Sequence, residues 1–319
     1  MSGAHVAESR SRLTDILQRR FTAWNRMPRS LRTCALTAVR RVTRLDEIDA
    51  LLTLHADKSG AAFLDAFFDA LDFSYAVSSQ DRIPSAGRVV VVANHPLGAM
   101  DALALLRALL DVRPDVYVVV NELLMQVTSL AAHFLPFDMF SAHPPKRQVI
   151  AIGRTLAQNA ALVIFPAGDV SHLTLAGVRD RAWSRSPARL ASAYGAPVLP
   201  VFIGGRNALP YYVCSSLSRT LASVLLPREI FRQRGRTVRV AFGDLIPSSA
   251  FERAAVSGTQ LRNHVYRVGR LDSACDQHRT PVEIWRTVIN QLNGWFADGV
   301  PSSAASKRSR ESDKRETST

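Results

Sequence analysis

The 319-residue chain holds only three cysteines, Cys34, Cys214 and Cys275, too few and too scattered for a disulfide framework or a zinc site. That usage points to a reducing compartment. No window reaches the roughly 18 to 20 uninterrupted apolar residues of a spanning helix. The opening MSGAHVAESRSRLTDILQRRF also lacks the apolar centre of a signal peptide. The expected location is the cytoplasm or the cytoplasmic face of a membrane. There is no serine in a GxSxG elbow, no lysine of a phosphate-binding loop in FPAGDV, and no GxGxxG after the first strand. A covalent serine hydrolase, a nucleotide triphosphatase and a dinucleotide oxidoreductase all lose ground, and no metal site or bound cofactor is expected. Acid is scarce too: 27 Asp and Glu against 40 Lys and Arg leave a net charge of +13. A negatively charged partner follows, whether nucleic acid, an anionic membrane surface or an acidic small substrate. Nucleic acid fits poorly, since there is no zinc-finger spacing or clear helix-turn-helix, and the arginines are interleaved with long apolar runs.

What is present organises itself around VVVVANHPLGAMDALALLRALL, residues 89 to 110. Four valines without polar alternation read as a strand buried on both faces. His95, Pro96 and Gly98 then form a loop, and a helix opens near Asp101. The chain continues with a strand at Val116 to Val120, a helix followed by a short apolar segment in NELLMQVTSLAAHFLPF, an alanine-rich helix, a strand at Ala161 to Phe165, a helix over Pro187 to Tyr194 and a strand in GAPVLPVFIGG. Alternating strands and helices give an α/β fold with a mostly parallel or mixed central sheet covered by helices, carrying helical additions at both ends.

Four regions are expected. Residues 1–85 form a basic amphipathic N-terminal helical region, with ten arginines against Glu8 and Asp15 up to Leu45, a break near Pro28, and helical spacing of apolar residues around Phe63, Phe67 and Phe68. Its first part suits either contact with anionic headgroups or a helical cap with a solvated basic face. Residues 86–250 form the α/β domain, ending in an arginine-rich segment with a half-exposed strand at Arg236 to Phe242. Within that segment TLASVLLPREIFRQ is expected as an apolar surface helix beside the mouth of the site. Residues 251–300 form a C-terminal helical extension with Trp285 and Trp295. Residues 301–319, PSSAASKRSRESDKRETST, have almost nothing to bury and should be disordered.

Two constellations could carry chemistry. His95 and Asp101 are separated by turn-forming Pro96 and Gly98, so the carboxylate can fold back on a ring nitrogen, fix the tautomer and stabilise an imidazolium. The bland alternative makes His95 a loop residue and Asp101 a first-turn acid favoured by the helix dipole. FPAGDVSH, residues 165 to 172, repeats the strand-to-glycine-turn logic at the same expected sheet edge, and such turns can aim N–H groups at an oxygen. Asp169 could hold an arginine or touch an acceptor, or simply bond its own turn backbone. His172 is expected to face solvent.

NHPLGAMD and FPAGDVS resemble the signature blocks of the glycerolipid acyltransferases, the family that includes 1-acylglycerol-3-phosphate acyltransferase. The family's first block has four residues between histidine and aspartate. Here five separate His95 from Asp101, as in the bacterial hemolysin-labelled or ornithine-lipid-type branch with an NHPxGxxD block. In its third block Asp169 takes the acidic place, and Ala167 stands where the broader family has glutamate. NELL at 121 to 124, FLPFD at 134 to 138 and Arg154 resemble the second block, and APVLPVFIGGRN at 196 to 207 resembles the fourth. The resemblance spans about residues 55 to 250.

The resemblance implies transfer of a fatty acyl group from acyl-CoA or acyl carrier protein to the hydroxyl of a lysolipid, as in phospholipid or ornithine-lipid biosynthesis. No cofactor is involved, since the thioester is itself a substrate. His95 would be the general base and Asp101 its orienter. Asn94, Gly98, Arg154, Pro166, Gly168, Asp169 and Arg206 would form the acceptor and oxyanion surroundings, with the two arginines gripping an anionic headgroup. The departures at Ala167 and in the His95–Asp101 spacing make a lyso-ornithine or other aminolipid acceptor a candidate beside a lysophospholipid. Such an enzyme would sit peripherally on the anionic cytoplasmic face of the inner membrane. The alternative from another class is a catalytically inactive, basic, peripheral membrane-binding protein.

Overall fold

Four valines in a row need cover on both faces, and β2 (Val89–Ala93) has it. In the computed structural model Val89 and Val91 enter one apolar layer while Val90 and Val92 enter another. The structure describes residues 28–121, 124–138, 145–174, 177–253 and 256–272, which belong to one compact unit.

β2 lies inside a seven-stranded sheet. In order across the sheet its strands are β1 (Phe73–Ser78), β9 (Arg236–Phe242), β8 (Val198–Gly204), β2, β5 (Ala161–Ile164), β3 (Val116–Val120) and β4 (Phe134–Pro136). From β8 to β4 all neighbours run parallel. β9 is antiparallel to β8 and parallel to β1, so the sheet is mixed.

One face carries α3 (Gly60–Ala70) and α4 (Ala99–Leu110). On α4 the side chains of Leu105, Leu106 and Leu109 are fully buried, each worth about 1.5–3 kcal/mol relative to exposure. The other face carries α5 (Lys146–Ala157), α6 (Ser186–Tyr194) and α10 (Gly258–Asp272), through Ile152, Leu156, Ala191, Leu261 and Val265. A short antiparallel hairpin, β6 (His172–Thr174) with β7 (Gly177–Arg179), follows β5. α7 (Leu209–Leu217) and α8 (Arg219–Arg232) follow β8, and α9 (Ser249–Arg253) precedes α10.

These connections place the site. The chain leaves β2 through α4 toward β3 on one side, and leaves β5 through the hairpin and α6 toward β8 on the other. β2 and β5 are neighbours, so their carboxyl ends flank a topological switch point, where open α/β sheets leave a crevice. His95 follows one strand and Phe165 the other. The opposite edge is tied shut by arginines. Arg88 bonds Asn159 Oδ1 and the Tyr194 carbonyl, and buried Arg113 reaches Asp115, Pro84 O and Asn159 O.

Three local expectations change. The helical run around Phe63 stops at Ala70, because Asp72 turns to φ 48° and FSYAVS becomes β1, paired along β9. A boundary at residues 85/86 would therefore cut through the sheet. Leu124–Gln126 and Thr128–His133 are 3₁₀ turns instead of a helix, interrupted where Val127 adopts ψ 80°. The start of the expected C-terminal helical extension is divided into α9 and α10, while its remainder with Trp285 and Trp295, and the tail, lie outside the described residues.

The N-terminal charge is partly structural. α1 (Arg29–Thr43) starts just after Pro28, as the expected break requires, and is followed by α2 (Leu45–Leu54). Arg40 is buried and paired with Asp46 and Asp49, and Arg44 pairs with Glu47 and lies over the Phe231 ring. These two arginines anchor α1 to α2 and α8 and are not spare charge for a bilayer. Residues 1–27, with Phe21 and Trp24, lie outside the described residues.

Candidate active site

Asn94 ends β2 by clamping it to β8: its side-chain Nδ2 donates to Ile203 O at 2.8 Å and its Oδ1 accepts from Ile203 N at 2.7 Å. Asn94 is thus a buried strand stitch, and both ends of its amide are engaged. The next residue, His95, stands at the crevice with 18% of its side chain exposed. Its ring leans on Phe165, with centroids 4.3 Å apart, so the two strand ends touch across the switch point.

Asp101 is completely buried on the first turn of α4. Its Oδ2 lies 3.0 Å from His95 Nδ1 and accepts the backbone N–H groups of Leu97 at 2.8 Å and Gly98 at 3.0 Å. One oxygen therefore ties the loop to the helix and faces the imidazole. The His95 contact is close but not aligned as a hydrogen bond, and Nδ1 is buried without another partner. Catalytic hydrogen bonds commonly tighten only with substrate in place. Burial pushes the Asp101 carboxyl above its ordinary range, while His95 and the two amides act in the opposite direction.

Gly98 makes this turn possible. Its φ of 83° and ψ of −129° form a conformation that side chains avoid, and an added Cβ would lie 3.1 Å from Leu226 and 3.5 Å from Val170. Gly98→Ala is expected to cost about 1–3 kcal/mol of stability and most of the activity, because the amides that hold Asp101 move with it. Urea denaturation beside a turnover assay checks both, and an alanine variant of parental stability would contradict the account.

The 165–172 turn sits at the same edge, but its groups are already employed. Gly168, at φ 66°, donates its N–H to Phe165 O, and Pro166 O accepts from Ser184 N. The Gly98 N–H is held by Asp101. The two glycine amides expected to steady an oxyanion are therefore internally bonded. Asp169 accepts from Val170 N at 2.9 Å and has Oδ2 3.8 Å from His172 Nε2, the turn-aspartate alternative. His172 is half-buried and receives a hydrogen bond from Arg181.

The two arginines separate. Arg206 is half-buried in the loop after β8, between Gly205, where a Cβ would come within 3.0 Å of Leu97, and Asn207, whose Nδ2 donates to Pro96 O. It belongs to the His95 loop's surroundings. Arg154 is exposed on the last turn of α5, close to the start of β5 and so at the far edge of the sheet from His95. The structure does not bring it to the site. The reason is directional: α5 runs antiparallel to β5, and only its first turn approaches the carboxyl edge.

Sequence reasoning missed Asp180. This buried carboxylate accepts from His95 N at 3.2 Å, from the Ser171 hydroxyl and, at 2.8 Å, from Trp183 Nε1. Its only signal in the chain is a lone acid in an arginine-rich run. α8, expected beside the mouth, does lie there through Leu226 against Gly98, but Ala222, Glu229 and Phe231 are buried, so it is part of the packing more than an open surface.

A family model described as "Acyltransferase" matches residues 22–272. A "Lyso-glycine lipid O-acyltransferase" of Bacteroides thetaiotaomicron is 30% identical over 223 residues, covering 68% of this chain and 82% of that protein. A protein of the same description from Phocaeicola vulgatus is 26% identical over 225 residues, covering 67% and 79%. Among solved structures, the 1-acyl-sn-glycerophosphate (LPA) acyltransferase PlsC from Thermotoga maritima aligns at a TM-score of 0.46 with 18% identity, over 69% of this chain and 80% of that one.

Proposed function

Since the chain belongs to the acyltransferase family, we propose that it moves a fatty acyl group from an acyl-CoA or acyl carrier protein thioester to the hydroxyl of a lysolipid. The observation that carries this reading is the His95–Asp101 pair at the switch point. Asp101 Oδ2 faces Nδ1, and Nε2 is the nitrogen that would meet a substrate hydroxyl. As the hydroxyl oxygen attacks the thioester carbonyl, Nε2 accepts its proton. Collapse of the tetrahedral intermediate breaks the C–S bond, and the imidazolium returns the proton to the departing thiolate. No acyl-enzyme is formed. Asp101 orients the ring and stabilises its charged form.

The acceptor we favour is a lysolipid with an amino-acid headgroup. The two relatives above act on lyso-glycine lipid, and both the Ala167 position and the five-residue His95–Asp101 interval depart from the usual blocks. Arg206, in the loop beside His95, would receive an anionic headgroup by charge-assisted bonds. The net charge of +13 suits peripheral attachment to an anionic membrane surface, on the cytoplasmic face of the inner membrane. Among the described residues no helix is long and apolar enough to cross a membrane.

Thiol release from acyl-CoA and from acylated carrier protein, measured over lyso-glycine, lyso-ornithine and lysophosphatidic acceptors, tests the reading. Turnover is expected with an amino-acid lysolipid above that with lysophosphatidate. Preference for lysophosphatidate would overturn the acceptor, and absence of acyl transfer to every lysolipid would favour the inactive membrane-binding alternative.

A further inference from the structure

Asp101 faces only the side chain of His95, while the backbone of the histidine is held from elsewhere. Ser171 N donates to His95 O at 2.8 Å, and His95 N donates to Asp180 Oδ1 at 3.2 Å. Ser171 and Asp180 are the residues just outside the β6–β7 stem, where His172 pairs with Arg179. The Ser171 hydroxyl donates to the same Asp180 oxygen. The base of the hairpin thus grips both sides of the His95 peptide.

Asp180 is itself fixed from three directions. Its Oδ2 accepts Trp183 Nε1 at 2.8 Å, its own N–H donates to Tyr266 OH at 2.8 Å, and Arg262 donates to its carbonyl at 3.2 Å. Tyr266 and Arg262 lie on α10, which closes so tightly over this strap that a Cβ on Gly258 would stand 2.0 Å from Trp183 O. Burying a carboxylate is costly unless donors meet it. Burial pushes the Asp180 carboxyl upward, with Ser171 and Trp183 acting against that shift.

We propose that Asp180 is a positioning residue for His95, a second carboxylate that sets where the base stands by holding its backbone N–H while Asp101 orients its ring. The inference rests on His95 being the base of the acyl transfer. A carboxylate suits the task because it has acceptors on both edges: one serves His95 and Ser171, and the other serves Trp183. Asparagine does not, because its NH2 must face either the His95 N–H or the Trp183 N–H, and donor against donor is repulsive. Phenylalanine at 183 removes that conflict.

The test is kinetic, on the full-length chain, with thermal denaturation to confirm folding. Asp180→Asn is expected to lower kcat by about 10²-fold with KM for the lysolipid little changed, the result of a displaced base. Trp183→Phe alone, which removes one donor to the carboxylate just as Ser171→Ala does, should cost stability and about tenfold in kcat. Combined with Asp180→Asn it should recover about tenfold of the lost kcat, since coupled neighbours are non-additive on that scale. A purely structural role would instead make the double variant worse than either single one. A folded Asp180→Asn with parental kcat, or a double variant without recovery, overturns the proposal. Should Asp180→Asn not fold, Ser171→Ala carries the test: kcat falls about tenfold by loss of a hydrogen bond to the carboxylate, and an unchanged kcat rejects the clamp. His95→Ala run alongside separates the failures. Activity surviving there removes the base and the proposal together, whereas an inactive His95→Ala with an unimpaired Asp180→Asn removes only the clamp.

Discussion

His95→Ala is expected to keep the fold and lose at least about 10³-fold in acyl transfer, the range general-base catalysis supplies. Folding should survive because the hydrogen bonds that hold the residue in its loop run through its backbone. It leans on Phe165, keeps 18% of its side chain exposed, and uses its backbone, which alanine retains, for the bonds to Ser171 and Asp180. The reaction should not survive, because a hydroxyl is a poor nucleophile while it holds its proton. A steady-state assay with thiol release, paired with circular dichroism, checks the two halves separately. The same variant decides between classes: a membrane-binding protein without catalysis would behave identically before and after the substitution. Turnover retained within tenfold would remove His95 from the chemistry.

Much of this site is written in local pattern. The strands Val116–Val120 and Arg236–Phe242 coincide with the spans that composition and alternation indicate, and α4 begins two residues before the expected Asp101. Val89 to Val92 announce burial on both faces because no polar residue alternates among them. His95, Pro96, Gly98 and Asp101 lie close enough in sequence for their geometry to be argued from turn chemistry alone. What escapes is whatever depends on direction or on distant backbone. Arg154 is recognisable as a cation, but which end of α5 it occupies relative to the sheet is a property of topology. Asp180 makes its contact with His95 across 85 residues and through an N–H that every residue possesses, so no spacing could reveal it. The edge position of β1 is hidden differently, since its aromatic and apolar residues continue the pattern of the helix before it until Asp72 breaks the chain direction.

Asp101→Asn is expected to lose activity while gaining stability, and the two effects share one cause. The oxygen that faces His95 is pinned by the N–H groups of Leu97 and Gly98. An asparagine would turn its oxygen to that same place, leaving its NH2 where Oδ1 lies buried without a hydrogen-bond partner. The ring keeps its orientation and tautomer, and only the charge that stabilises the imidazolium is removed. A fall in kcat of about 10²- to 10³-fold is expected. Asp101→Ala, which also frees the loop, should fall further and lose stability. For stability the sign follows from burial. The folded carboxyl titrates above its unfolded counterpart, so the folded state binds the proton more tightly and the parent loses stability as pH rises through that interval. The asparagine variant has no such loss. Its advantage in denaturation midpoint should therefore be near zero in acid, below both titrations, and grow to a plateau above them. Equal kcat values for the asparagine and alanine variants would show that the pinned oxygen does not preserve the geometry. A midpoint difference that shrinks with rising pH would show that burial is not the dominant influence on Asp101.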